Sequence, residues 1–399
     1  MESLDQFKNS ELIYIVLLFA LFVLPRFLQR FRLPSAITCV FLGLGAGVGL
    51  SLFAHDNTIG LLATFGIVAL FLFAGLEINF SELRSHALVL LQYVVFHLIG
   101  LAAVSYGAML VFDLAIRPAV LVALALMTPS AGFILDSLKA LHLDERERFW
   151  VRTKVISIEL IALAALFAVV QSASATRFSV SLLVLVLLIA ILPLLLKFFA
   201  KVLLPYAPRS EFAFLLMLAV VCAFVTRELG VYYLVGAFVC GVAAQRFREE
   251  LPAMASEQML HAVELFASVF VPFYFFNAGL HLGRDDFSMN ALITGAGFLV
   301  VMVPVRLLWI GLHRKIALKE SIAGGMRIGV AMIPTLVFTL VIAGILRDKF
   351  EVSGAIFGGL IIYTLVNTLI PGFVLRIPPP AFDAPHISPA PTEGAETGK

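Results

Sequence analysis

The chain has 399 residues, of which 61% are hydrophobic and 14% are charged, and 36 of them are phenylalanine. A soluble domain of this length has no interior large enough to bury so much apolar surface, so the composition excludes a soluble globular protein and indicates a membrane protein. The formal net charge of +2, with no Lys- or Arg-rich stretch, gives no indication of a nucleic-acid partner.

Apolar stretches of roughly 17 to 25 residues between polar breaks predict about thirteen membrane-spanning helices. The predicted spans are 12–28, 33–53, 58–79, 86–112, 117–138, 150–171, 178–204, 211–226, 230–245, 259–282, 289–312, 321–346 and 354–376. The fold class is therefore an all-α polytopic membrane protein, with residues 1–376 as one transmembrane domain. Residues 377–399 are rich in Pro, Ala and Gly and are expected to form a disordered cytoplasmic tail.

Basic residues concentrate on alternate connections between the predicted spans. The basic connections contain residues 26–32, 139–148, 197–209, 246–248 and 314–319. By the positive-inside rule, the N-terminus lies outside and the C-terminus lies in the cytoplasm. We expect an integral protein of the inner membrane of a bacterium.

Two predicted spans contain a helix breaker near mid-depth: Pro129 in the fifth and Pro334 in the twelfth. Proline removes a backbone donor and clashes with the preceding turn, so each span is predicted to kink or unwind. The hydroxyls of Thr128, Ser130 and Thr335 can bond the freed backbone groups. Because the two spans run in opposite directions, the breaks near 117–138 and 321–346 predict inverted repeats, whereas a simple packing kink is the alternative for either one.

Glu159 is an acidic residue inside the sixth span, between Ile158 and Leu160. It lies about eight residues into the span, roughly 12 Å of helix from the cytoplasmic edge. A charge at this depth costs several kcal/mol unless it faces a partner or a water-filled cavity. Arg306 lies at similar depth in the eleventh span, so we predict it as the charge partner; the alternative is an ion bridge that only joins helices. Lys154, nearer the start of the sixth span, is expected to reach the interface.

A carboxylate within a membrane binds either a proton or a small cation, and one site with two exclusive occupants is already an exchanger. We therefore predict a monovalent cation/proton antiporter for Na⁺ or K⁺ that binds its ions at Glu159. Ser157, Thr128 and Ser130 are candidate oxygen donors, although bonding to a preceding backbone carbonyl is an equal alternative. Because Arg306 keeps its proton, the exchange is predicted to be electroneutral.

Other interpretations remain open at this point. Asp136, two turns beyond Pro129, lines an entry funnel or is an interfacial anion. The chain can instead be a non-transporting sensor with the same fold, or an anion or organic-solute carrier that uses Arg306 and the half-helix N-termini. No HExxH, GxSG or GxGD arrangement occurs in the sequence, so we expect no enzyme activity and no cofactor.

Four short segments, taken in order and spacing, resemble the cation/proton antiporter superfamily. They are Arg32-Leu33-Pro34, Leu72-Phe73-Ala74-Gly75-Leu76-Glu77, Leu234-Val235-Gly236-Ala237-Phe238 and Phe270-Val271-Pro272-Phe273-Tyr274-Phe275-Phe276-Asn277-Ala278-Gly279-Leu280. The chain is most similar to the second family, which contains Kef-type potassium/proton and NapA-like sodium/proton exchangers. The resemblance covers the membrane domain only, so no nucleotide gating is expected.

This resemblance implies a thirteen-helix homodimer with a dimerisation domain and a core domain that moves like an elevator. It implies that the fifth and twelfth spans are two crossed, discontinuous helices. The second carboxylate of the family's sixth-span pair matches Glu159, and the eleventh-span basic residue matches Arg306. The chain departs from the family at Ile158, where the pair's first polar residue stands, and lacks the Pro-Arg-Gly-Glu-like stretch after Pro334. These departures leave the choice of cation open.

Overall fold

A computed structural model of the chain describes residues 11–53, 56–78, 80–138, 143–207, 210–230, 233–246 and 257–375. This part of the chain is helical and contains no β-strand, which confirms the predicted all-α class. The predicted tail at 377–399 lies outside the described residues, and so does the side chain of Asp136.

The α-helices follow one another with short connections. They are α1 (Glu11–Leu28), α2 (Ser35–Leu44), α3 (Asn57–Leu76), α4 (Phe80–Ser85), α5 (Ala87–Phe112), α6 (Ile116–Met127), α7 (Ala131–Leu138), α8 (Glu145–Gln171), α9 (Ala175–Phe198), α10 (Glu211–Glu228), α11 (Tyr233–Arg246), α12 (Glu257–Leu280), α13 (Met289–Leu318), α14 (Ile322–Ala331), α15 (Leu336–Phe350) and α16 (Gly354–Val374). Short 3₁₀ or π turns extend α1, α2 and α9, and a 3₁₀ turn at Arg284–Phe287 precedes α13.

Within the described ranges, nine helical segments are long and apolar enough to cross a membrane, with residues 116–135 of α6 and α7 counted as one, and the bent pair α14–α15 makes a tenth. The two members of that pair lie at 61° to one another. The predicted second and ninth spans correspond to shorter apolar helices, Ser35–Gly49 and Tyr233–Arg246, and the eighth corresponds to α10. The structure thus supports an integral membrane protein, while the count of thirteen spans stays a prediction.

The helices pack as two bundles. In the first, α3 packs along α11 and α12, α12 also contacts α2, and α10 and α1 complete the group. In the second, α13 packs along α16 and α14, α6 contacts α5, α15 and α8, and α7 lies against α8. The bundles meet mainly where α7 contacts α3 and where α9 lies between α8 and α11. Both broken helices belong to the second bundle.

Glycines allow the helices of the first bundle to approach closely. A Cβ atom on Gly241 of α11 would lie 2.3 Å from the carbonyl oxygen of Leu72 in α3, and one on Gly75 would lie 2.4 Å from that of Phe238. No side chain fits at such distances, so the two backbones are in direct contact. The segment containing Gly75 is one that carried the family resemblance.

A capping box fixes the start of α8, the helix that contains Glu159. The carboxylate of Asp144 accepts a hydrogen bond from the backbone N–H of Glu147 at 2.6 Å, and the Glu147 carboxylate accepts one from the N–H of Asp144 at 3.0 Å. These reciprocal bonds satisfy donors that the first helical turn leaves free. The register of α8, and with it the depth of Glu159, is set at this end.

Candidate ion-binding site

The two helix breaks lie at the predicted prolines and contact one another. Helix α6 ends before Thr128 and Pro129, and α14 ends before the segment that contains Pro334. The backbone N–H of Ser130 donates a hydrogen bond to the carbonyl oxygen of Pro334 at 2.9 Å. The two discontinuous spans are therefore joined backbone to backbone at their breaks.

Two of the carbonyl oxygens that the first break frees are bound by side chains from other helices. Pro129 has no N–H, so the carbonyl of Ala125 loses its helical donor, and the Thr339 hydroxyl of α15 donates to it at 2.7 Å. The N–H of Ser130 is directed to the other break, so Leu126 is also freed, and the Tyr363 hydroxyl donates to it at 2.8 Å. Hydrogen-bond partners from the protein are required because the surrounding lipid offers none.

Arg306 serves the second break in the same way. Its Nη1 donates to the carbonyl oxygen of Ile333 at 2.6 Å and to the Tyr363 hydroxyl at 3.1 Å, and its Nη2 donates to Met332 at 2.8 Å. The guanidinium thus lies at the C-terminal end of α14, where the helix dipole favours a positive charge. Tyr363 connects it to the freed carbonyl of Leu126, so one network serves both breaks.

This arrangement differs from the predicted contact between Arg306 and Glu159. In the part of the chain that the structure describes, no ion pair joins these two side chains. The reason is that the break leaves carbonyls unpaired, and the planar guanidinium is the donor that reaches several of them at once. Any charge effect of Arg306 on Glu159 therefore acts without a direct contact.

Glu159 is buried, with 2% of its surface exposed, and faces the first break. Its carboxylate lies close to the backbone N–H of Ala131, the first residue of α7. A negative charge is favoured at this helix N-terminus. The other carboxylate oxygen, Oε2, has no hydrogen-bond partner within the protein.

Two hydroxyls of the first break share this property with Glu159. The side chains of Thr128 and Ser130 are fully buried, and neither hydroxyl oxygen has a partner within the protein. Buried polar atoms are nearly always paired, so three unpaired oxygens around one break need an explanation. Hydroxyl and carboxylate oxygens are the ligands that hard cations such as Na⁺ or K⁺ accept.

Two other predicted residues have their hydroxyls engaged. The hydroxyl of Ser157 donates to the carbonyl of Thr153 at 2.7 Å, which is the backbone-bonding alternative stated for it. Thr335 lies in the second break. Its hydroxyl oxygen is 3.0 Å from the hydroxyl oxygen of Thr364 and accepts a hydrogen bond from the amide nitrogen of Asn367, also at 3.0 Å. The amide oxygen of Asn367 also accepts from the N–H of Thr335 at 3.3 Å.

Sequence reasoning did not find the contribution of the last span. Tyr363, Thr364 and Asn367 are fully buried in α16 and bind the two breaks. The available signal was a run of polar residues, Tyr363-Thr364 followed by Asn367-Thr368, within an otherwise apolar helix.

A small cavity lies between the two breaks. Its volume is about 20 Å³, which leaves room for one water molecule. Its lining residues are Tyr93, His97, Met127, Pro129, Ile158, Arg306, Trp309, Ile310 and Met332. The Nε2 atom of the buried His97 has no partner within the protein. Polar atoms thus reach a space next to Ile158, the neighbour of Glu159.

Lys154 does not reach the interface as expected. The side chain is fully buried, its Nζ lies 3.1 Å from Nδ1 of His313 in α13, and the ring of Tyr93 lies 4.3 Å away. Its distance from the helix end follows from the sequence, but the identity of the side chains that enclose it does not. This pair is separate from the group around Glu159.

The family described as "Sodium/hydrogen exchanger, transmembrane" matches residues 15–378. The chain belongs to this family of transmembrane sodium/hydrogen exchangers. Membership confirms the predicted antiporter superfamily and supports cation/proton exchange by an integral membrane protein. The narrower assignment to the superfamily's second family stays a prediction.

Relatives of this exchanger are found in an archaeon. The probable Na(+)/H(+) antiporter 3 of Methanocaldococcus jannaschii is 23% identical over 385 residues, which cover 91% of this chain and 95% of that protein. The structure of the sodium proton antiporter MjNhaP1 from the same organism at pH 8 is 14% identical, with a TM-score of 0.64 and coverage of 92% and 94%. An electron-microscopy map of that antiporter matches equally, with a TM-score of 0.64, 14% identity and coverage of 92% and 95%. The structural likeness shows a shared fold.

Proposed function

We propose that this exchanger moves one monovalent cation against one proton, and that both bind in turn to the carboxylate of Glu159. The observation that carries the proposal is the unpaired Oε2 atom of the buried Glu159 carboxylate; the hydroxyl oxygens of Thr128 and Ser130, in the first break, are also buried and unpaired. A proton on the carboxylate, or a cation among the three oxygens, removes the cost of leaving these atoms unpaired. Because both occupants need the same carboxylate, they exclude one another.

Electroneutral exchange is part of this proposal. Glu159 carries one negative charge when empty and none when it holds a proton or a monovalent cation. Arg306 stays protonated throughout, since its donors are used by the carbonyls of the second break. One proton is therefore exchanged for each Na⁺ or K⁺.

Elevator-type alternating access is the proposed mechanism of transport. Glu159 and both breaks belong to the bundle formed by α5–α8 and α13–α16, which has few contacts with the other bundle. Movement of this bundle as a unit carries the site towards either face of the membrane without breaking the network that joins the breaks. We further propose a homodimer in a bacterial inner membrane, with the C-terminus in the cytoplasm as the basic connections indicate.

The anion or organic-solute carrier is a weaker proposal. It requires the guanidinium of Arg306 to bind substrate, whereas three acceptors within the protein already use it. It also leaves the burial of Glu159 without a role. The departures from the family pattern at Ile158 and after Pro334 favour a sensor that has lost exchange, whereas the presence of Glu159 and Arg306 opposes it.

Purified protein in liposomes that contain a pH dye tests the proposal. Addition of Na⁺, K⁺ or Li⁺ outside is expected to lower the internal proton concentration, and so to raise the internal pH, for at least one of these ions, while a large organic cation has no effect. Glu159→Gln is expected to abolish the response, and a potential-sensitive dye is expected to record no voltage. Exchange by the Glu159→Gln variant at the parent rate contradicts the site, and a cation-driven voltage contradicts electroneutrality.

A further inference from the structure

Lys154 and His313 form a buried pair of nitrogen bases that the exchange at Glu159 does not use. The side chain of Lys154 is 0% exposed and the His313 residue is 2% exposed. Their Nζ and Nδ1 atoms are 3.1 Å apart. The Nζ also lies 4.3 Å from the centre of the Tyr93 ring and 5.9 Å from that of Trp150.

No carboxylate neutralises this pair directly. None of the ion pairs recorded for the described part of the chain contains Lys154. The neighbouring Arg314 forms an ion pair with Glu320, which also contacts Arg146 at 3.4 Å. The titratable and charged groups on the elements packed around the pair include Tyr93 and His97 on α5, with His86 just before it, and Arg306 and Arg314 on α13, with Glu320 after it. On α8 they include Arg146, Glu147, Arg152 and Glu159.

Two hydrogen-bonded bases of this kind hold at most one extra proton. With that proton, the Lys154 ammonium donates to the neutral imidazole at Nδ1. Without it, the amine and the imidazole are both neutral and keep one hydrogen bond between them, with either nitrogen as donor. A second proton would place two positive charges about 3 Å apart in a buried site, which is strongly unfavourable. The pair therefore gains or loses one proton without breaking its own contact.

The surroundings of the pair act in opposite directions on its charged form. Burial of an ammonium disfavours the charge, and the nearby Arg314 guanidinium adds repulsion. The face of the Tyr93 ring attracts the cation, and the imidazole accepts its hydrogen bond. None of these neighbours is a carboxylate in direct contact with the pair. The fraction of molecules in which the pair holds its extra proton therefore depends on pH.

We propose that Lys154 and His313 form a second proton-binding site, and that its proton regulates exchange without being transported. The effect on exchange rests on the function proposed for Glu159. Lys154 precedes Glu159 by five residues on α8, a rise of roughly 7.5 Å along the helix axis. A proton on the pair adds a positive charge at this distance and so weakens cation binding at Glu159. We therefore expect the apparent KM for the cation to fall as this second site loses its proton.

Fluorescence of Trp150 measures the pair independently of transport. The chain contains two tryptophans, so Trp309→Phe leaves Trp150 as the single reporter. Recording its emission against pH in a Glu159→Gln, Trp309→Phe protein removes both transport and the Glu159 carboxyl. We expect a titration step that is lost in Lys154→Met and moved to a different pH in His313→Gln.

His86 provides the matched control, because its ring lies 5.3 Å from the ring of Trp150. The step is expected to persist in His86→Gln. The proposal is overturned if no step is seen, if the step keeps the parent pH in His313→Gln, or if His86→Gln alone removes it. Should Lys154→Met fail to fold, His313→Gln decides the outcome.

A transport measurement separates this proposal from the proposed function. In protein that retains Glu159, His313→Gln is expected to change the pH dependence of the cation KM while the maximal rate changes less than twofold. An unchanged pH profile overturns the regulatory role. If Glu159→Gln retains full exchange while the Trp150 step remains, the proposed function fails and the proton-binding site stands.

Discussion

Ser130 and Pro334 join the two broken helices through one backbone hydrogen bond, with the N–H of Ser130 donating to the Pro334 carbonyl at 2.9 Å. The bond has a cost, since it withdraws the Ser130 N–H from the carbonyl of Leu126. Side chains of α15 and α16 bind two of the carbonyls freed at the first break. The contact between the breaks is therefore supported by residues of these two helices, and each residue can be tested by substitution.

Thr339→Val is expected to destabilise the protein by about 1–3 kcal/mol, because it leaves the buried carbonyl of Ala125 without a donor. Thermal unfolding of the purified protein measures this. Thr64→Val is the matched control, since its hydroxyl only bonds to the carbonyl of Gly60 one turn earlier in the same helix. Equal melting temperatures for the two variants would show that Thr339 does not support the break.

Arg306 and Glu159 are expected to contribute independently to stability. A double-mutant cycle with Arg306→Met and Glu159→Gln tests this, because side chains without shared partners give effects that add within about 0.5 kcal/mol. A coupling energy well above that value would indicate the ion pair that the sequence suggested. Arg306→Lys is expected to restore little stability, since a single ammonium does not reproduce the planar fork that bonds Ile333 and Met332.

Gly241→Ala is expected to disrupt the packing of α11 on α3, because the new methyl carbon would lie 2.3 Å from the carbonyl oxygen of Leu72. The backbone of α11 or α3 must therefore shift, at a cost of about 1–3 kcal/mol. Gly60→Ala is the control within α3, where nothing lies within 4 Å of the added carbon. Its stability is expected to stay equal or rise. Similar losses in both variants would contradict close backbone contact at Gly241.

Asp56 makes a contribution to stability that depends on pH. Burial opposes its ionised form, but hydrogen bonds from the Tyr14 hydroxyl and from the N–H groups of Thr58 and Ile59 outweigh burial and hold the pKa of Asp56 below its ordinary 3.8. A lowered pKa means that this stability is present above pH 3.8 and is lost as the pH falls through the folded value.

The corresponding measurement is the melting temperature of the parent and of Asp56→Ala between pH 3 and pH 7. We expect the parent to be more stable near neutral pH, and the difference to shrink at the acid end. Tyr14→Phe is expected to reproduce part of the loss, because it removes one of the bonds to the carboxylate. A difference that grows towards acid pH would contradict the assignment.

Much of the fold follows from one-dimensional signals. Apolar length gives the spanning helices, and Pro129 and Pro334 mark both breaks because proline removes a backbone donor wherever it stands. Glu159 could be identified from the sequence because an acidic residue within an apolar span is costly unless it has a partner or contact with water. The number of spans did not follow from apolar length alone, because the helices at Ser35–Gly49 and Tyr233–Arg246 are shorter than a usual membrane span.

The partners of the buried polar groups did not follow from sequence. Depth along a helix placed Arg306 level with Glu159, but only the three-dimensional arrangement shows that the freed carbonyls of Met332 and Ile333 take its donors. Likewise, Lys154 is enclosed by residues of α5 and α13 that are more than 50 positions away in the chain. Such contacts depend on helix rotation and packing.

The most direct test of the central claim is proton release by purified protein in unbuffered detergent solution. Adding Na⁺ or K⁺ is expected to release protons from the parent at a pH where Glu159 is protonated, because the cation displaces the proton from the shared carboxylate. Glu159→Gln is expected to release none, and Glu159→Asp to release protons at a changed cation concentration. Cation-dependent release that is undiminished in Glu159→Gln would contradict the account.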